Sequence, residues 1–179
     1  QQGAPQDLLT ARRRLPGFTG KWETKRLGDV AEVVMGQSPS SIHYNSAGLG
    51  IPLIQGNADI SNRQAIRRIY TTEITKRGIA GDIIMSVRAP VGEIARTMFE
   101  VCLGRGVCAI RHSNNFLYHA LIAQEPTWPR HSKGSTFDSV NSADVRAFAL
   151  FMPLTGEEQS AIAAVLSDMD AEIAALEGK

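Results

Sequence analysis

The sequence predicts an α+β fold, a globular mixed β-sheet domain with a long C-terminal coiled-coil helix. Three patterns in its 179 residues predict it. Short β-like segments recur between Gly, Pro and Asn. Two helical patterns interrupt them irregularly, which argues against regular βαβ alternation. The last quarter carries apolar residues at Ile162, Leu166, Met169, Ile173 and Leu176. Their steps alternate four and three, the seam of a coiled coil rather than the wider stripe of a helix lying on a globule. A domain that ends in such an arm needs a partner for it, which shifts the question from catalysis to holding and spacing.

Taken in order, residues 1–21 read as the end of a preceding helix and a linker. Residues 7–14 read as its last turns, with Arg12, Arg13 and Arg14 favourable at the negative C-terminal end. Leu15-Pro16-Gly17-Phe18 stops it. A globular domain is expected over residues 22–153, opening at Trp22. Residues 27–34 are apolar on one side, a short helix or a turn running into a strand. Residues 36–50 form a loop rich in Ser, Gly, Pro and Asn. Strands are expected at 51–55, 65–70, 82–88, 93–98, 106–111 and 147–152, and helices at 73–76 and 115–124. Residues 154–179 form the arm, with Thr155 as its cap and Glu158 completing a capping box. About 21 helical residues reach about 30 Å. The heptad register is unbroken at Lys179, so the arm is expected to be cut short there, with its ridge free to pair.

Bulk properties narrow the function. The net charge is +1, so any polyanion must be held by a local patch rather than a global field. No run approaches 18 apolar residues, so no membrane span and no membrane partner are expected. No signal peptide is visible, and the start at Gln1 without Met fits a fragment, a processed chain or a trimmed one. Cys102 and Cys108 match neither zinc spacing nor a secreted disulfide framework. Two buried thiols in a reducing cytoplasm is the plain reading.

No catalytic constellation is legible. Gly104-Arg105-Gly106-Val107-Cys108-Ala109 matches the loose dinucleotide fingerprint, but strand and turn residues follow where that fingerprint needs a helix. There is no Gly-x-Ser-x-Gly elbow. The His residues at 43, 112, 119 and 131 lack metal-ligand spacing. Glu23-Thr24-Lys25 has the Glu-x-Lys shape of many nucleases, yet no upstream acid stands ready to share a metal, so Glu23 and Lys25 read as surface charges. No Asn/Asp-Pro-Pro-Tyr/Phe motif marks the chain as an amino-methyltransferase.

What remains is three polar loops. The first offers Gln37, Ser38, Ser40, His43, Tyr44 and Asn45. The second offers Gln55, Asn57, Asn62 and Arg63. The third offers His131, Ser132, Lys133, Gly134, Ser135 and Thr136. Asn and Gln suit adenine and Arg or Lys suits guanine by paired hydrogen bonds, while Ser, Thr, Lys and glycine N–H groups suit phosphate oxygens. Arg88, Arg96 and Arg105 fall at strand ends and are candidates for a basic patch, or for surface ion pairs. The DNA-contacting set expected from these loops is Gln37, Ser38, Ser40, His43, Tyr44, Asn57, Arg63, Arg88, Arg105, Lys133, Ser135 and Thr136. The partner-contacting set is Ile162, Leu166, Met169, Ile173 and Leu176.

Read in order, these pieces resemble a target-recognition domain and helical arm of the type I restriction–modification specificity subunit. The likeness runs through Leu15-Pro16-Gly17-Phe18 and Trp22, Leu27-Gly28-Asp29-Val30-Ala31 with Gly36 and Ser38-Pro39-Ser40, and Ile51-Pro52-Leu53-Ile54. It continues through Gly81-Asp82-Ile83-Ile84-Met85-Ser86-Val87-Arg88 with Val91-Gly92, and Arg105-Gly106-Val107. Gly134-Ser135-Thr136, and Pro153-Leu154 with Glu158-Gln159, Ile162-Ala163 and Leu166, complete it.

The resemblance implies two recognition domains joined by two antiparallel helices, each domain reading one half of a split double-stranded DNA target. It also implies methyltransferase subunits that bring S-adenosylmethionine, and a restriction and translocase subunit that brings ATP and Mg²⁺. The specificity subunit itself catalyses nothing and is cytoplasmic. With one domain and one arm, this chain is expected to be the second half of such a subunit or a half-size version that dimerises. Two other readings compete: an assembly or inhibitor protein that grips a helix without reading DNA, and a nuclease using Glu23 and Lys25.

Overall fold

The computed structural model describes residues 3–130 and 139–178. In chain order it shows α1 (Gly3–Leu9), β1 (Trp22–Arg26), α2 (Leu27–Val30), β2 (Glu32–Met35), β3 (Tyr44–Asn45), β4 (Ile51–Ile54), β5 (Ile60–Ser61), β6 (Gln64–Ala65) and β7 (Ile69–Thr71). Then come β8 (Arg77–Gly78), β9 (Ile83–Ser86), β10 (Ile94–Arg96), β11 (Val101–Leu103), β12 (Val107–Arg111), α3 (Phe116–Gln124), α4 (Ser142–Ala147), β13 (Ala149–Pro153) and α5 (Gly156–Glu177). Among the described residues the strands form a six-stranded sheet, β2-β12-β9-β10-β6-β5, a five-stranded sheet, β3-β7-β4-β11-β8, and the pair β1-β13. Both larger sheets are mixed: β6–β10 and β4–β11 run parallel while β9–β12 and β4–β7 run antiparallel.

The six-stranded sheet is buried on both faces, and its residues alternate accordingly. Ile84, Val107 and Ala109 face the five-stranded sheet and pack with Ile54, Val101 and Leu103. Ile83, Met85, Cys108 and Ile110 face the other way, into a core with Phe116, Leu117 and Leu121 of α3 and Leu150 and Met152 of β13. Two buried faces explain why β9 and β12 read as continuous apolar runs. Cys102 and Cys108 are both buried free thiols, and burial pushes the Cys108 thiol up to about 12.

The terminal helix corrects the expected seam. Ile162, Ala163 and Leu166 are buried in the domain's own core, with Met169 packed beside them, whereas Ile173 is 52% and Leu176 72% exposed. Only the far end of the ridge is free, because α3 stands against the near end and presents Phe116, Leu117 and Leu121 to the same core. The capping box is also corrected. Thr155 is the N-cap but makes no side-chain cap bond. Glu158 is instead 1% exposed and accepts hydrogen bonds from Arg14 at 2.7 and 3.0 Å and from Trp22 Nε1 at 3.2 Å. This buried carboxylate ties the N-terminal segment and β1 to the root of the arm.

Other expectations shift locally. The first helix ends at Leu9 rather than running to Arg14; Ala11 takes a left-handed φ of 58°, and Arg14 leaves to pair with Glu158. No helix forms at 73–76: Thr71 exchanges hydrogen bonds with Glu73, and the Lys76 carbonyl accepts from Leu103 N–H at 2.8 Å. The single strand expected at 65–70 is two, β6 and β7, in different sheets. Ala147 closes a helix, α4, whose Asn141 and Asp144 form the capping box. Strand β1 lies outside the expected strands and pairs antiparallel with β13, from Trp22 opposite Pro153 to Arg26 opposite Ala149.

Candidate nucleic-acid interface

Three loops meet where the two large sheets abut: residues 36–40 after β2, 55–57 after β4, and 104–106 between β11 and β12. Backbone holds them together. Gly36 N–H donates to the Val107 carbonyl at 3.0 Å, Gln37 N–H to Leu103 at 2.9 Å, and Gly104 N–H to Ile54 at 2.8 Å. The approach is close enough to demand glycine. A Cβ at Gly36 would lie 1.9 Å from the Gly104 carbonyl oxygen, and one at Gly106 would lie 1.9 Å from that of Gln55. The tip between β9 and β10 joins them through Val87 N–H, which donates to the Gly106 carbonyl at 2.9 Å. Ser86 braces that tip: its hydroxyl donates to the Pro90 carbonyl at 2.5 Å and accepts from Glu93 N–H at 2.9 Å. The Ala89–Pro90 peptide is cis.

The result is an open cleft of about 270 Å³ lined by Ser38, Gln55, Asn57, Arg88 and Arg105. Gly56 and Gly106 supply its backbone walls, with Ala89 at the rim. Ser38 Oγ accepts from Arg105 N–H at 3.0 Å. Asp59 fixes the second loop from behind, taking Gln55 N–H at 2.8 Å and Arg68 at 3.0 Å. Among the described residues no carboxylate lines the cleft.

Electrostatics separates these two arginines from most others. Arg111 forks onto Asp82 at 2.7 and 2.8 Å and reaches Glu32 at 2.8 Å, which drives its pKa upward. Arg63 is bidentate on Glu125, Arg77 pairs with Glu100, and Arg14 with Glu158. Arg67 lies over Phe99 and Arg96 over Tyr118, 3.8 and 4.1 Å from the ring centroids. The Arg88 and Arg105 guanidinium groups bond to none of the described residues, and both residues are exposed.

Of the residues expected to contact DNA, the structure gathers Ser38, Asn57, Arg88 and Arg105 in one cleft. It does not bring the other described ones there. Gln37 is exposed beside Ser38, and its carbonyl accepts from the Thr75 hydroxyl. Ser40 N–H donates to Glu73 at 2.7 Å, His43 lies in a 3-10 turn, and the Tyr44 hydroxyl donates to the Pro39 carbonyl at 3.1 Å. Tyr44 thus closes its own loop. Arg63 is drawn away by Glu125, which also accepts from Ile94 N–H at 2.7 Å, and this pairing raises the arginine's pKa. Lys133, Ser135 and Thr136 lie outside the described residues. The described chain resumes at Ser139, bridged to Arg88.

Sequence reasoning missed Gly56 and Gly106, although both glycines stand beside singled-out polar residues; the Gly-x-Gly run signals close backbone approach rather than a nucleotide fingerprint. Glu23 and Lys25 pair with each other at 2.8 Å on β1, and Lys25 holds the Glu23 carboxyl below its usual range. Among the described residues no three acidic, His or Cys groups gather as metal ligands.

Polar loops on a two-sheet scaffold, a cationic cleft and a helix whose tip leaves the domain are the makings of a binding module. Residues 19–179 match the family described as the type I restriction modification DNA specificity domain, and the chain belongs to that family. It is 34% identical over 156 residues to a Methanocaldococcus jannaschii protein named as the MjaX type I restriction enzyme specificity subunit, covering 83% of this chain and 36% of that one. Its structure is similar to the HsdS subunit from Thermoanaerobacter tengcongensis, with a TM-score of 0.79 and 32% identity over 97% of this chain and 44% of that chain. A second solved chain, from work on complex assembly and conformational transition of the type I R-M system, gives a TM-score of 0.78 and 32% identity. That match covers 98% of this chain and 46% of the other. The chain therefore spans less than half the length of these relatives.

Proposed function

We propose that this chain is a non-catalytic DNA-specificity module that reads one half of a bipartite double-stranded target. The observation that carries this reading is the cleft: Arg88 and Arg105, unpaired with any described residue, stand with Ser38 and Asn57 on a scaffold of the DNA specificity family. Positive charge with no described acid beside it attracts a polyanion, and the polar loops that meet around the cleft are the surface offered to the duplex. The free end of α5 is proposed as the spacer contact. Ile173 and Leu176 are exposed there among Asp168, Asp170, Glu172 and Glu177, which suits a partner helix with basic flanks.

In this reading the methyltransferase subunits and the restriction and translocase subunit supply S-adenosylmethionine, ATP and Mg²⁺ chemistry. A second recognition half, or a second copy of the chain, supplies the other half-site, and the arm sets the distance between them. The test is duplex binding by the assembled complex. Selective affinity that falls steeply with salt is expected. Equal affinity for all duplexes at moderate salt overturns the proposal.

A further inference from the structure

The cleft lies within a DNA reader on the reading above, and its donor-rich, backbone-walled lining suits a phosphate better than a base edge. We infer that it is a seat for one backbone phosphate of the duplex, so that Arg88 and Arg105 hold the DNA in register and base discrimination is made elsewhere on the domain.

The donor set supports this. A base edge in the major groove presents donors and acceptors in a fixed pattern, whereas a phosphate presents acceptors alone. Donors outnumber acceptors in the described lining: two guanidinium groups, the Ser38 hydroxyl hydrogen, and the N–H groups of Gly56 and Gly106, which donate to no described acceptor, while the Gln55 and Asn57 amides add a donor and an acceptor side each. The lone pair of Ser38 on the protein side is already taken by Arg105 N–H at 3.0 Å, which leaves its O–H to give away. The carboxylate nearest in the chain, Asp59, is 3% exposed and occupied by Gln55 N–H and Arg68, so it does not repel an anion.

The walls support it as well. Gly106 is a glycine because a Cβ would meet the Gln55 carbonyl at 1.9 Å. Backbone therefore forms the floor, and oxygen atoms of a ligand can approach N–H groups closely. Backbone donors cannot be altered by changing a side chain, so a site built on them serves any target word equally. Such a contact positions and does not specify.

The experiment uses the assembled complex that carries this chain, bound at low salt to a randomised duplex library, with Arg88→Gln and Arg105→Gln beside the wild type. Both variants remove an exposed charge and leave the glycine framework intact. Each is expected to lose about tenfold in affinity for every duplex and to lower the salt slope by about 1, while enriching the same DNA word as the wild type. A changed or relaxed word at one position in either variant overturns the inference and leaves the DNA-reading proposal standing. Unchanged affinity and salt slope in both variants also overturn it. If the wild type enriches no word at all, the reading proposal falls, and the uniform loss in salt slope still reports the phosphate contact. Amide NMR supplies a second arm: the Gly56 and Gly106 N–H signals should shift with duplex, and inorganic phosphate shifting them equally at matched ionic strength shows that a free anion suffices.

Discussion

The two halves of α5 share one apolar register and have opposite fates. At the root, Ile162 and Leu166 are 2% and 3% exposed, sealed against α3 and β13. At the tip, Ile173 and Leu176 are 52% and 72% exposed, and the residues from Asp170 to Gly178 are all exposed. The root is domain core that happens to be helical, and the tip is open surface, proposed above as the partner contact. The heptad pattern alone does not tell these apart, since a helix that packs on its own sheet and a helix that packs on a foreign one need apolar side chains at the same spacing.

The contrast is broken most severely at the root. Leu166→Asp places a carboxylate in the core and should prevent folding, seen as loss of the cooperative urea transition; Leu166→Ala should cost about 2–5 kcal/mol. If either variant is as stable as wild type, the root is not core. Next in size is Arg14→Met. It strands the buried Glu158 carboxylate with Trp22 as its remaining side-chain donor and should cost about 3 kcal/mol, more than Glu158→Gln, which leaves a partly exposed arginine instead. Urea titrations of both variants rank the two. At the tip, Leu176→Ala should change folding stability by less than about 0.5 kcal/mol. Its effect should appear instead as weakened association of the assembled complex in sedimentation.

The smallest effect sharpens the boundary between the halves. His119 of α3 is 7% exposed, with Nε2 3.1 Å from Ser167 and Nδ1 3.7 Å from Asp170, where the root becomes the tip. Burial holds its pKa below the usual 6.5, against the opposing pull of Asp170. The unfolded chain therefore binds a proton that the folded chain resists. Stability is full above about pH 6.5 and is lost as the pH falls toward the folded-state value. Urea midpoints between about pH 8 and pH 5 should drop less for His119→Gln than for wild type. A parallel drop in both proteins removes His119 as the cause.

Much of the fold was legible residue by residue. Gly/Pro punctuation bracketed β4, β9, β10 and β12 because a buried strand is an apolar run that must end in a turn. The pattern Phe116–Leu121 announced α3. The segment 65–70 misled because it looks like one strand, yet the chain crosses between sheets at Ile66, whose N–H bonds to the Asp59 carbonyl at 2.9 Å. For the cleft, loop chemistry points to Ser38 and Asn57 and equally to Arg63, while Arg88 and Arg105 stand out at strand ends. Nothing local separates them. Glu125, sixty-two positions away, is what commits Arg63 to structure.

By itself the sequence determined the residue types, the periods of burial along β9, β12 and α5, and the family to which the chain belongs. Those depend on neighbours within a few positions, or on order along the chain. Only the tertiary structure decided which arginines meet an acid, which glycines must admit a foreign carbonyl, and where along α5 core gives way to open surface. Each of these is a contact between residues distant in sequence. Its sign is set by what arrives on the other side, which no local pattern contains.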